Sequence, residues 1–492
     1  MKKIFNKQKR KILITLYLFS SLLPSCSFFD PKYEKPKVEI PSIWKNQPTG
    51  KDNMSKWNLP NLAWWRDFHD ASLNGLITTA LHDNENLQIS IGNILQADAE
   101  INKANYAWLP TASVGGGGFM VIPFDVNASG ALKSAGSQPV GGSLAGIIPS
   151  YTINIAREYK MGEITRLGKE INVSVKDAVR LSIISKICIA YFSLLSAKQQ
   201  LKLQSEYTKN LENLYKYTNN LRDSGVVSSL ETEERNQTLE IEKGKLAIIN
   251  NDIVVFENTL RAIIGKNPGS INTYTDFNKI STDIKTPANM PSQVLKNRPD
   301  IAIAEYKLKL SNANIGLARS QFFPNIDLTG AFGNATLALG ELATANLFTW
   351  AYFAQAAMPV FNMSILADSD KAKAQFYEAY YNYVNTLHEA FRDVENQLSE
   401  NQANKVNFKN VLLSVNSAKV QQNIYSQKYD AGIISEIKYI EKRLNTIYQE
   451  MQMNRAKLNL LVSTVGLYEA LGSGYSVDDN IDPDYSNPAF TK

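Results

Sequence analysis

Cysteine and histidine, the residue types most often used for covalent chemistry and for transition-metal binding, are few in this 492-residue chain. There are two cysteines, Cys26 and Cys188, and three histidines, which are scattered without metal-ligand spacing. No glycine-rich loop precedes a Lys-Ser or Lys-Thr pair, as a phosphate-binding loop would need. Cys188 lies in the apolar stretch ICIAYFSLL, which predicts a buried free thiol. These residue types indicate no catalytic centre, metal site or bound cofactor, and Cys26 is the thiol in a setting that suggests chemistry.

Cys26 stands at the end of a segment laid out like an export signal. A basic cluster at residues 2–11 precedes an apolar run, Ile12 to Leu23. This run is about a dozen residues long, whereas a helix that crosses a bilayer needs about 20. Leu23-Pro24-Ser25-Cys26 resembles a bacterial lipobox, whose cysteine becomes the acylated first residue of the mature chain. The sequence therefore predicts lipid on Cys26; an ordinary cysteine beside a cleaved signal is the alternative.

The charge balance changes when this signal is removed. The full chain has 52 Lys and Arg against 47 Asp and Glu, and six of the basic residues lie in residues 1–25. The mature chain is therefore close to neutral, so its composition gives no argument for nucleic acid binding. Ser27 follows the cysteine where an aspartate would favour retention at the inner membrane of enteric-type bacteria. By that resemblance, the outer membrane is the predicted destination.

The chain contains an internal repeat. Residues Asp223 to Gly265 align with Asp430 to Gly472 at a constant offset of 207, so that DSGVVSSLETEE faces DAGIISEIKYIE. A second block, offset by 214, aligns AEINKANYAWLPTASVGG with ANIGLARSQFFPNIDLTG and pairs Pro110 with Pro324. A period of about 200 residues indicates duplication of a half-fold and not a short solenoid repeat.

Each copy runs from a helix through β-like sequence to long helices. Helical periodicity spans Leu73 to Trp108 and Ser292 to Phe323, and a proline ends each run. The β-like segments are PTASVGGGGFMVIPFDV, IPSYTINIAREY, PNIDLTGAFGNATLAL and LFTWAYFAQAAMPVF. Each predicted strand is about 10 residues long, which suits a tilted membrane-spanning strand. Aromatic residues near the strand ends predict interfacial girdles, with core packing as the alternative: Phe119, Phe124, Tyr151, Phe348, Trp350, Tyr352 and Phe353.

The remaining sequence predicts helices of coiled-coil length. No proline occurs between Pro149 and Pro268 or between Pro359 and Pro483, and one helix is expected from about Leu366 to Tyr429. Apolar residues in the first copy follow heptad steps: Leu239, Leu246, Ile249, Ile253, Phe256, Leu260 and Ile263. The second copy has a smaller and more polar set: Thr446, Met453, Ala456, Leu460, Ser463, Leu467 and Ala470. We therefore expect the two arms to pack in different environments.

Two glycines interrupt these helices at equivalent places. Gly225 and Gly432 follow an aspartate and precede Ser228 and Ser435, as expected of a helix end, a tight turn and a new N-cap. The sequence predicts a helical hairpin tip at each glycine.

Four strands cannot close a barrel, and an open strand edge in lipid costs several kcal/mol for each unpaired backbone group, so the strands are expected to pair with those of other subunits.

Five motifs in order along the duplicated chain carry a family resemblance: DPKYEKP after Cys26, WWRDFHDASLNGLI at residues 64–77, LKNRPDI at 295–301, FFPNIDL at 322–328 and GLYEALGSGY at 466–475. The chain resembles lipid-anchored, TolC-like outer-membrane efflux factors of the NodT type, the exit ducts of tripartite pumps driven by resistance-nodulation-division transporters. One departure is AREYKMGEITR, where Lys160 takes the acidic position of the usual WELDLFGR-like stretch.

The resemblance implies an α+β membrane protein and a function. Each protomer of a homotrimer would give four strands to one 12-stranded transmembrane β-barrel, continuous with a long periplasmic coiled-coil barrel of helices. The trimer would conduct drugs or other small toxic compounds passively out of the periplasm. Its partners would be outer-membrane lipid, a periplasmic adaptor protein and the inner-membrane transporter, which would dock at the hairpin tips formed by Gly225, Val226, Ser228, Gly432, Ile433 and Ser435.

The resemblance also implies a gate in the second hairpin. Relatives narrow the tunnel with an apolar residue and, one helical turn further, a carboxylate; aligned through Gly432, these positions are Ile437 and Glu441. The usual arginine three residues beyond is replaced by Leu444, with Arg443 displaced by one. The alternative interpretation makes Glu441 a solvated helix residue paired with Lys438 or Lys442.

Three other functions fit parts of the sequence. The same fold could serve a type I protein-secretion system, although those relatives usually lack the lipobox. A trimeric adhesin or structural lipoprotein would explain the heptads but not the four strands. A periplasmic enzyme would need a catalytic constellation that the sequence does not indicate.

The predicted domains are a signal peptide (1–25), an anchored tail (26–70), a first repeat (71–265, hairpin 111–158), a linker (266–290), a second repeat (291–472, hairpin 325–361) and a C-terminal tail (473–492).

Overall fold

The structure is a computed structural model. It describes residues 32–41, 43–45, 58–121, 140–284, 292–339 and 343–477. Cys26, Phe124, the proposed signal peptide and most of the C-terminal tail lie outside these ranges.

Long helices and one sheet make up the described chain. The helices are α1 (Ala71–Asp83), α2 (Glu85–Tyr106), α3 (Ile155–Asp223), α4 (Ser229–Ile263), α5 (Pro299–Ser320), α6 (Met363–Asp430) and α7 (Glu436–Ala470). The strands are β1 (Thr111–Val121), β2 (Val140–Ile153), β3 (Asn325–Leu339) and β4 (Ala343–Ala357).

The four strands form one antiparallel sheet in the order β1-β2-β3-β4. Two hairpins, β1–β2 and β3–β4, are joined by pairing of β2 with β3, so β1 and β4 are the edges. This confirms the prediction of four strands in two hairpins. The hairpins end earlier than predicted, at Ile153 and Ala357 and not at 158 and 361. The reason is capping: Asn154 Oδ1 accepts from the Arg157 amide (3.0 Å) and Asn362 Oδ1 from the Ser364 amide (3.0 Å), which starts the next helix.

The predicted long helices are confirmed, since α3 has 69 residues and α6 has 68. The predicted helix from Leu73 to Trp108 is instead broken at Asn84. That residue ends α1 and caps α2, because its Oδ1 accepts from the Leu87 amide (3.2 Å) while its Nδ2 donates to the Ile263 carbonyl (2.7 Å). The run predicted from Ser292 begins as a short 3-10 turn, and α5 starts only at Pro299.

The chain divides into two compact units that do not follow the two repeats. One unit comprises residues 1–36, 95–170 and 306–381 and contains the whole sheet; the other comprises 37–94, 171–305 and 382–492. Each unit therefore takes chain from both predicted repeats. Each predicted repeat supplies one hairpin to the sheet, and the first part of its long helix, residues 155–170 of α3 or 363–381 of α6, belongs to the same unit as the sheet.

The helical unit has an aromatic and aliphatic core. Trp64 is fully buried and stacks on Tyr468 of α7, with ring centroids 4.9 Å apart. Cys188 of α3 is also fully buried, and burial raises the pKa of its thiol, as expected for an inert free cysteine. One window of α3 is long and apolar enough to cross a membrane, but 72% of it is buried inside the protein, which is typical of a core helix.

Candidate functional site

The two hairpin tips have the same backbone geometry. At the first tip the Gly225 amide donates to the Arg222 carbonyl and the Val226 amide to the Leu221 carbonyl, both at 2.9 Å. At the second tip the matching bonds from Gly432 and Ile433 are both 2.8 Å. The two glycines have φ of 73° and 70°, a conformation that other residues rarely adopt. The predicted helix end and turn are thus present at both positions.

New helices start directly after these turns. The Ser228 hydroxyl accepts from the Glu231 amide (3.2 Å) and the Ser435 hydroxyl from the Lys438 amide (3.4 Å). Both serines are therefore the predicted N-caps. Between each glycine and its serine the tip presents an exposed β-branched side chain, since Val226 and Ile433 are each 71% exposed.

Ile437 is the second residue of α7 and is half-buried. It packs against a small apolar cluster inside its own chain, which consists of Leu211, Leu214, Leu239, Ile440 and Leu444. This cluster brings α3, α4 and α7 together just beyond the tips. The apolar contacts of Ile437 within one chain therefore hold the second hairpin against the first.

Glu441 lies between two cations. Its Oε1 is 3.4 Å from Arg235 Nη2 on α4, and its Oε2 is 3.5 Å from Lys438 Nζ one turn earlier. The carboxylate side chain is 36% exposed, so both ion pairs are screened by water. The structure thus includes the Lys438 pairing of the alternative interpretation. It adds Arg235, which sequence reasoning missed because the two residues are 206 positions apart.

A second ion pair lies beside the first, and in this pair α7 supplies the cation instead of the carboxylate. Arg443 Nη2 is 3.1 Å from Glu206 Oε1 on α3, and Leu444 is buried in the apolar cluster. The residue that stands at the usual arginine position is thus part of the core, while the displaced Arg443 pairs with another helix. Within about one turn, α7 is linked by opposite charges to both helices of the first hairpin.

In the other unit, strand register assigns side chains to the two faces of the sheet. Paired residues share a face, so Val114, Ile147, Phe332 and Trp350 form one row on what we name the Trp350 face. Trp350 stacks on Tyr352, with centroids 6.0 Å apart, and Tyr151 and Phe348 lie on the same face. Phe119 and Phe353 lie on the opposite face, named the Phe119 face. The predicted aromatic set is therefore divided between two faces.

Lys160, the residue that marks the departure in AREYKMGEITR, is only 6% exposed. Its Nζ is 2.8 Å from Glu163 Oε2, one turn further along α3. The lysine at the usually acidic position is therefore buried, and it pairs with a carboxylate whose side chain is 42% exposed. Among the residues that the structure describes, no group of three or more His, Cys, Asp or Glu side chains could hold a metal ion.

Comparisons with known proteins agree with this architecture. Residues 290–473 match the family described as outer membrane efflux protein. The probable efflux pump outer membrane protein TtgC of Pseudomonas putida is 27% identical over 94% of this chain and 96% of its own length. The probable outer membrane lipoprotein SilC of Salmonella typhimurium is 25% identical, over 95% and 99%.

Solved structures extend the agreement to the fold. The open state of the MtrE outer membrane channel of Neisseria gonorrhoeae has a TM-score of 0.76 and 25% identity over 91% of this chain and 98% of its own. The CmeC outer membrane channel of Campylobacter jejuni has a TM-score of 0.74 over 94% and 98%. The second half of the chain thus matches the outer membrane efflux protein family, and relatives named as outer membrane efflux proteins align with the chain over nearly its full length.

Proposed function

We propose that this protein is the outer-membrane exit channel of a tripartite efflux pump, through which small toxic compounds pass passively from the periplasm to the exterior. The single observation that carries the proposal is the combination in one chain of a four-stranded sheet with unpaired edges and long helical hairpins. TtgC is named as part of an efflux pump and MtrE as an outer membrane channel, and this chain matches both over more than nine-tenths of its length.

The channel is a trimer closed by its strands. In lipid, the outer edges of β1 and β4 would leave backbone groups unsatisfied, so β4 of one copy pairs with β1 of the next. Three copies of four strands give a 12-stranded barrel, and the long helices form the periplasmic tunnel. The predicted duplication of the half-fold supports this closure. Within one chain, the second strand of the first hairpin (β2) pairs with the first strand of the second hairpin (β3). Pairing of β4 with β1 of the next copy would join hairpins in the same way.

An internal repeat is supported by helix lengths and by helix ends. Helices α4 and α7 have 35 residues each and start 207 positions apart. They end at glycines with positive φ, Gly265 and Gly472, which are also 207 positions apart. Helices α3 and α6 differ by a single residue in length.

The tips are the docking surface for the rest of the pump. Val226 and Ile433 are exposed apolar side chains on rigid, glycine-terminated turns. A surface of that kind fits a periplasmic adaptor protein or the inner-membrane resistance-nodulation-division transporter. The membrane anchor is covalent lipid on Cys26, which lies outside the described residues; SilC, a relative, is named as a lipoprotein.

The gate is the second hairpin, with Ile437 as the apolar element and Glu441 as the charged one. Three carboxylates about 6 Å apart in water repel by about 0.7 kcal/mol per pair, so an acidic ring does not close itself. The apolar cluster around Ile437, together with Arg235 and Lys438, supplies the closing interactions. Docking at the tips opens the gate by moving the second hairpin away from the first.

Planar-bilayer recording of the purified protein tests this function. We expect cation-preferring conductance steps from the wild type and a higher unit conductance from Ile437→Ala, because loss of apolar packing frees the second hairpin. The matched control is Leu230→Ala, since Leu230 is the equivalent residue of the first hairpin and is 71% exposed. Absence of conductance in the wild type would contradict the channel function, and equal conductance of the two variants would contradict the gate.

A further inference from the structure

The apolar side of the sheet changes face along the strands. In the half nearer the helices, the Trp350 face is apolar, with rows such as Ile153–Ile326 and Val114–Ile147–Phe332–Trp350. The Phe119 face carries hydrogen-bonded polar side chains there, together with Phe353: Gln355 Nε2 donates to Asp327 Oδ2 (3.3 Å), and the Thr111 and Ser150 hydroxyls are 2.8 Å apart. This is the pattern of a membrane barrel, in which the Trp350 face meets lipid and the Phe119 face meets water.

The apolar part of the Trp350 face has a defined height. On β3 it runs from Ile326 to the row of Asn334, about nine residues or roughly 30 Å of strand. At a strand tilt of about 40° this corresponds to a band of roughly 23 Å, close to the 25 Å typical of outer-membrane barrels. The strands continue beyond the row of Asn334, so their far ends extend past the lipid band.

Beyond that row the polarity of the two faces is reversed. The Trp350 face now has a row with Ser143, Thr336 and Asn346, in which Thr336 Oγ1 donates to Asn346 Oδ1 at 2.8 Å, and Met120 lies in the next row. The Phe119 face carries no polar side chain in the two rows described there: Gly117, Leu144, Ala335 and Leu347, then Phe119, Gly142, Leu337 and Ala345. Phe119, Leu337 and Leu347 are each about half exposed.

A glycine row marks the point of reversal and shows which face is concave. Gly115, Gly146 and Gly333 are in register on the Phe119 face. A Cβ on Gly146 would lie 2.2 Å from the Phe332 carbonyl oxygen, and one on Gly333 would lie 2.2 Å from that of Ala145. Strands β2 and β3 therefore leave no room for a side chain at Gly146 and Gly333, as at a glycine kink that curves a sheet. A concave Phe119 face is the interior of the closed barrel.

From these observations we infer that the outer mouth of the barrel contains an apolar collar, formed by Phe119, Leu144, Leu337 and Leu347 of each copy. The inference rests on the proposed function, because the collar exists only where the sheet closes into a channel. The collar binds apolar and amphiphilic organic molecules during exit, since it offers apolar surface with no charged group in the rows that form it. Phe119 contributes a ring that lies across Gly142, with its Cε1 2.8 Å from where a Cβ would stand.

Tetraalkylammonium ions of equal charge and increasing apolar surface test the collar. We would record single channels in planar bilayers with tetramethylammonium or tetrahexylammonium present on both sides. We expect tetrahexylammonium to produce current blocks at least about tenfold longer, a factor reached by burying roughly 55 Å² of apolar surface. The double variant Leu337→Asn with Leu347→Asn should shorten those blocks by about tenfold and leave tetramethylammonium unaffected.

The control is Met120→Asn, which makes the same kind of change at the same height on the Trp350 face. We expect tetrahexylammonium to block this variant for as long as it blocks the wild type. Shorter blocks would mean that the Trp350 face lines the channel, which would overturn the collar. Equal blocks in the wild type and the double variant, with conductance intact, would also overturn it. If the double variant does not conduct, the single variants Leu337→Ala and Leu347→Ala decide the same question. A wild type without conductance would instead overturn the channel function, and the collar with it.

Discussion

Helices α4 and α7 are equivalent in the two halves of the chain, yet their surroundings differ. Each has 35 residues and each follows a capped glycine turn. In α4 only three residues are fully buried, Thr232, Leu239 and Leu260, whereas sixteen are buried in α7. The difference confirms the expectation, drawn from the two unlike heptad seams, that the arms pack in different environments.

Residues at matching positions of α4 and α7 differ in how exposed their side chains are. Val254 of α4 is 53% exposed, while its counterpart Leu461 is 1% exposed and belongs to the main core. Ile248 of α4 is exposed, and the residue at the matching exposed position of α7 is Arg455. Thus α7 places its apolar residues inside its own chain, and α4 leaves apolar residues outward. In the proposed trimer, these outward apolar residues of α4 would contact another copy.

The largest expected effect distinguishes Leu461, a core residue, from Val254, its exposed counterpart. Leu461→Ala should lower the free energy of unfolding by about 2–5 kcal/mol, because it removes a fully buried side chain and leaves a cavity. Val254→Ala should change it by no more than about 0.5 kcal/mol. Urea unfolding of the detergent-solubilised, dissociated chain measures both. Equal losses would mean that the two helices are buried alike, which would break the comparison.

A buried lysine sharpens the contrast between the helices. Lys457 of α7 is 6% exposed, and its Nζ donates to the Asn278 carbonyl at 2.9 Å. Burial lowers the pKa of Lys457 to about 8, with Asp276 acting in the opposite direction. Below pH 8 the ammonium is charged in both the folded and unfolded chain, so its burial costs stability, on the order of 2–3 kcal/mol at most. Lys457→Met should therefore be more stable than the wild type at pH 7.

The sign of the pH dependence follows from the lowered pKa of Lys457. Between about pH 8 and the usual lysine pKa of 10.5, the unfolded chain keeps a proton that the folded chain has lost. The unfolding free energy of the wild type should thus rise through this window relative to Lys457→Met. Asn250→Met, at the matching exposed position of α4, should show no such trend. A constant difference between wild type and Lys457→Met from pH 7 to 10 would refute the prediction.

The outward side of α4 should affect assembly more than folding. Ile241, Ile248 and Val255 lie seven residues apart and are about half exposed or more, so they form a stripe along one side of the helix. Ile248→Glu should raise the concentration at which the trimer dissociates by about tenfold, because the buried apolar contact is replaced by a charge. Arg455→Glu, its counterpart on α7, should leave dissociation unchanged. Light scattering across a dilution series in detergent distinguishes the two, and unchanged dissociation of Ile248→Glu would exclude this stripe from the interface.

Local sequence was sufficient for features that local residues determine. The tips at Gly225 and Gly432 were predictable because a glycine between a helix and a serine N-cap specifies its own turn. The break at Asn84 was not, because the partner that Asn84 binds is the carbonyl of Ile263, 179 residues away. The faces of the sheet likewise depend on the register between strands, which cannot be read from the sequence of one strand. This register places the predicted aromatic residues on two different faces.

The gate residues illustrate the same limit. Alignment through Gly432 indicates which residues of the second hairpin to consider, and Ile437 and Glu441 do lie just beyond the tip. It does not indicate that Arg235 of α4 stands 3.4 Å from Glu441, since that contact depends on how two distant helices pack. That the Glu441 carboxylates form the narrowest ring of the proposed trimer stays a prediction.

The smallest expected effect is at this carboxylate. Glu441 is partly exposed and its two ion pairs are long, so Glu441→Ala should change the unfolding free energy by no more than about 0.5 kcal/mol. Its effect on conduction should be larger than its effect on stability, because a ring of charge acts on every ion that passes. We expect reversal potentials in a salt gradient to show weaker cation preference in Glu441→Ala. Glu234, the matching and exposed residue of α4, supplies the control, and Glu234→Ala should leave the reversal potential unchanged. If both variants keep the wild-type value, Glu441 is a surface ion-pair residue, and the two helices differ in burial without differing in their access to the tunnel.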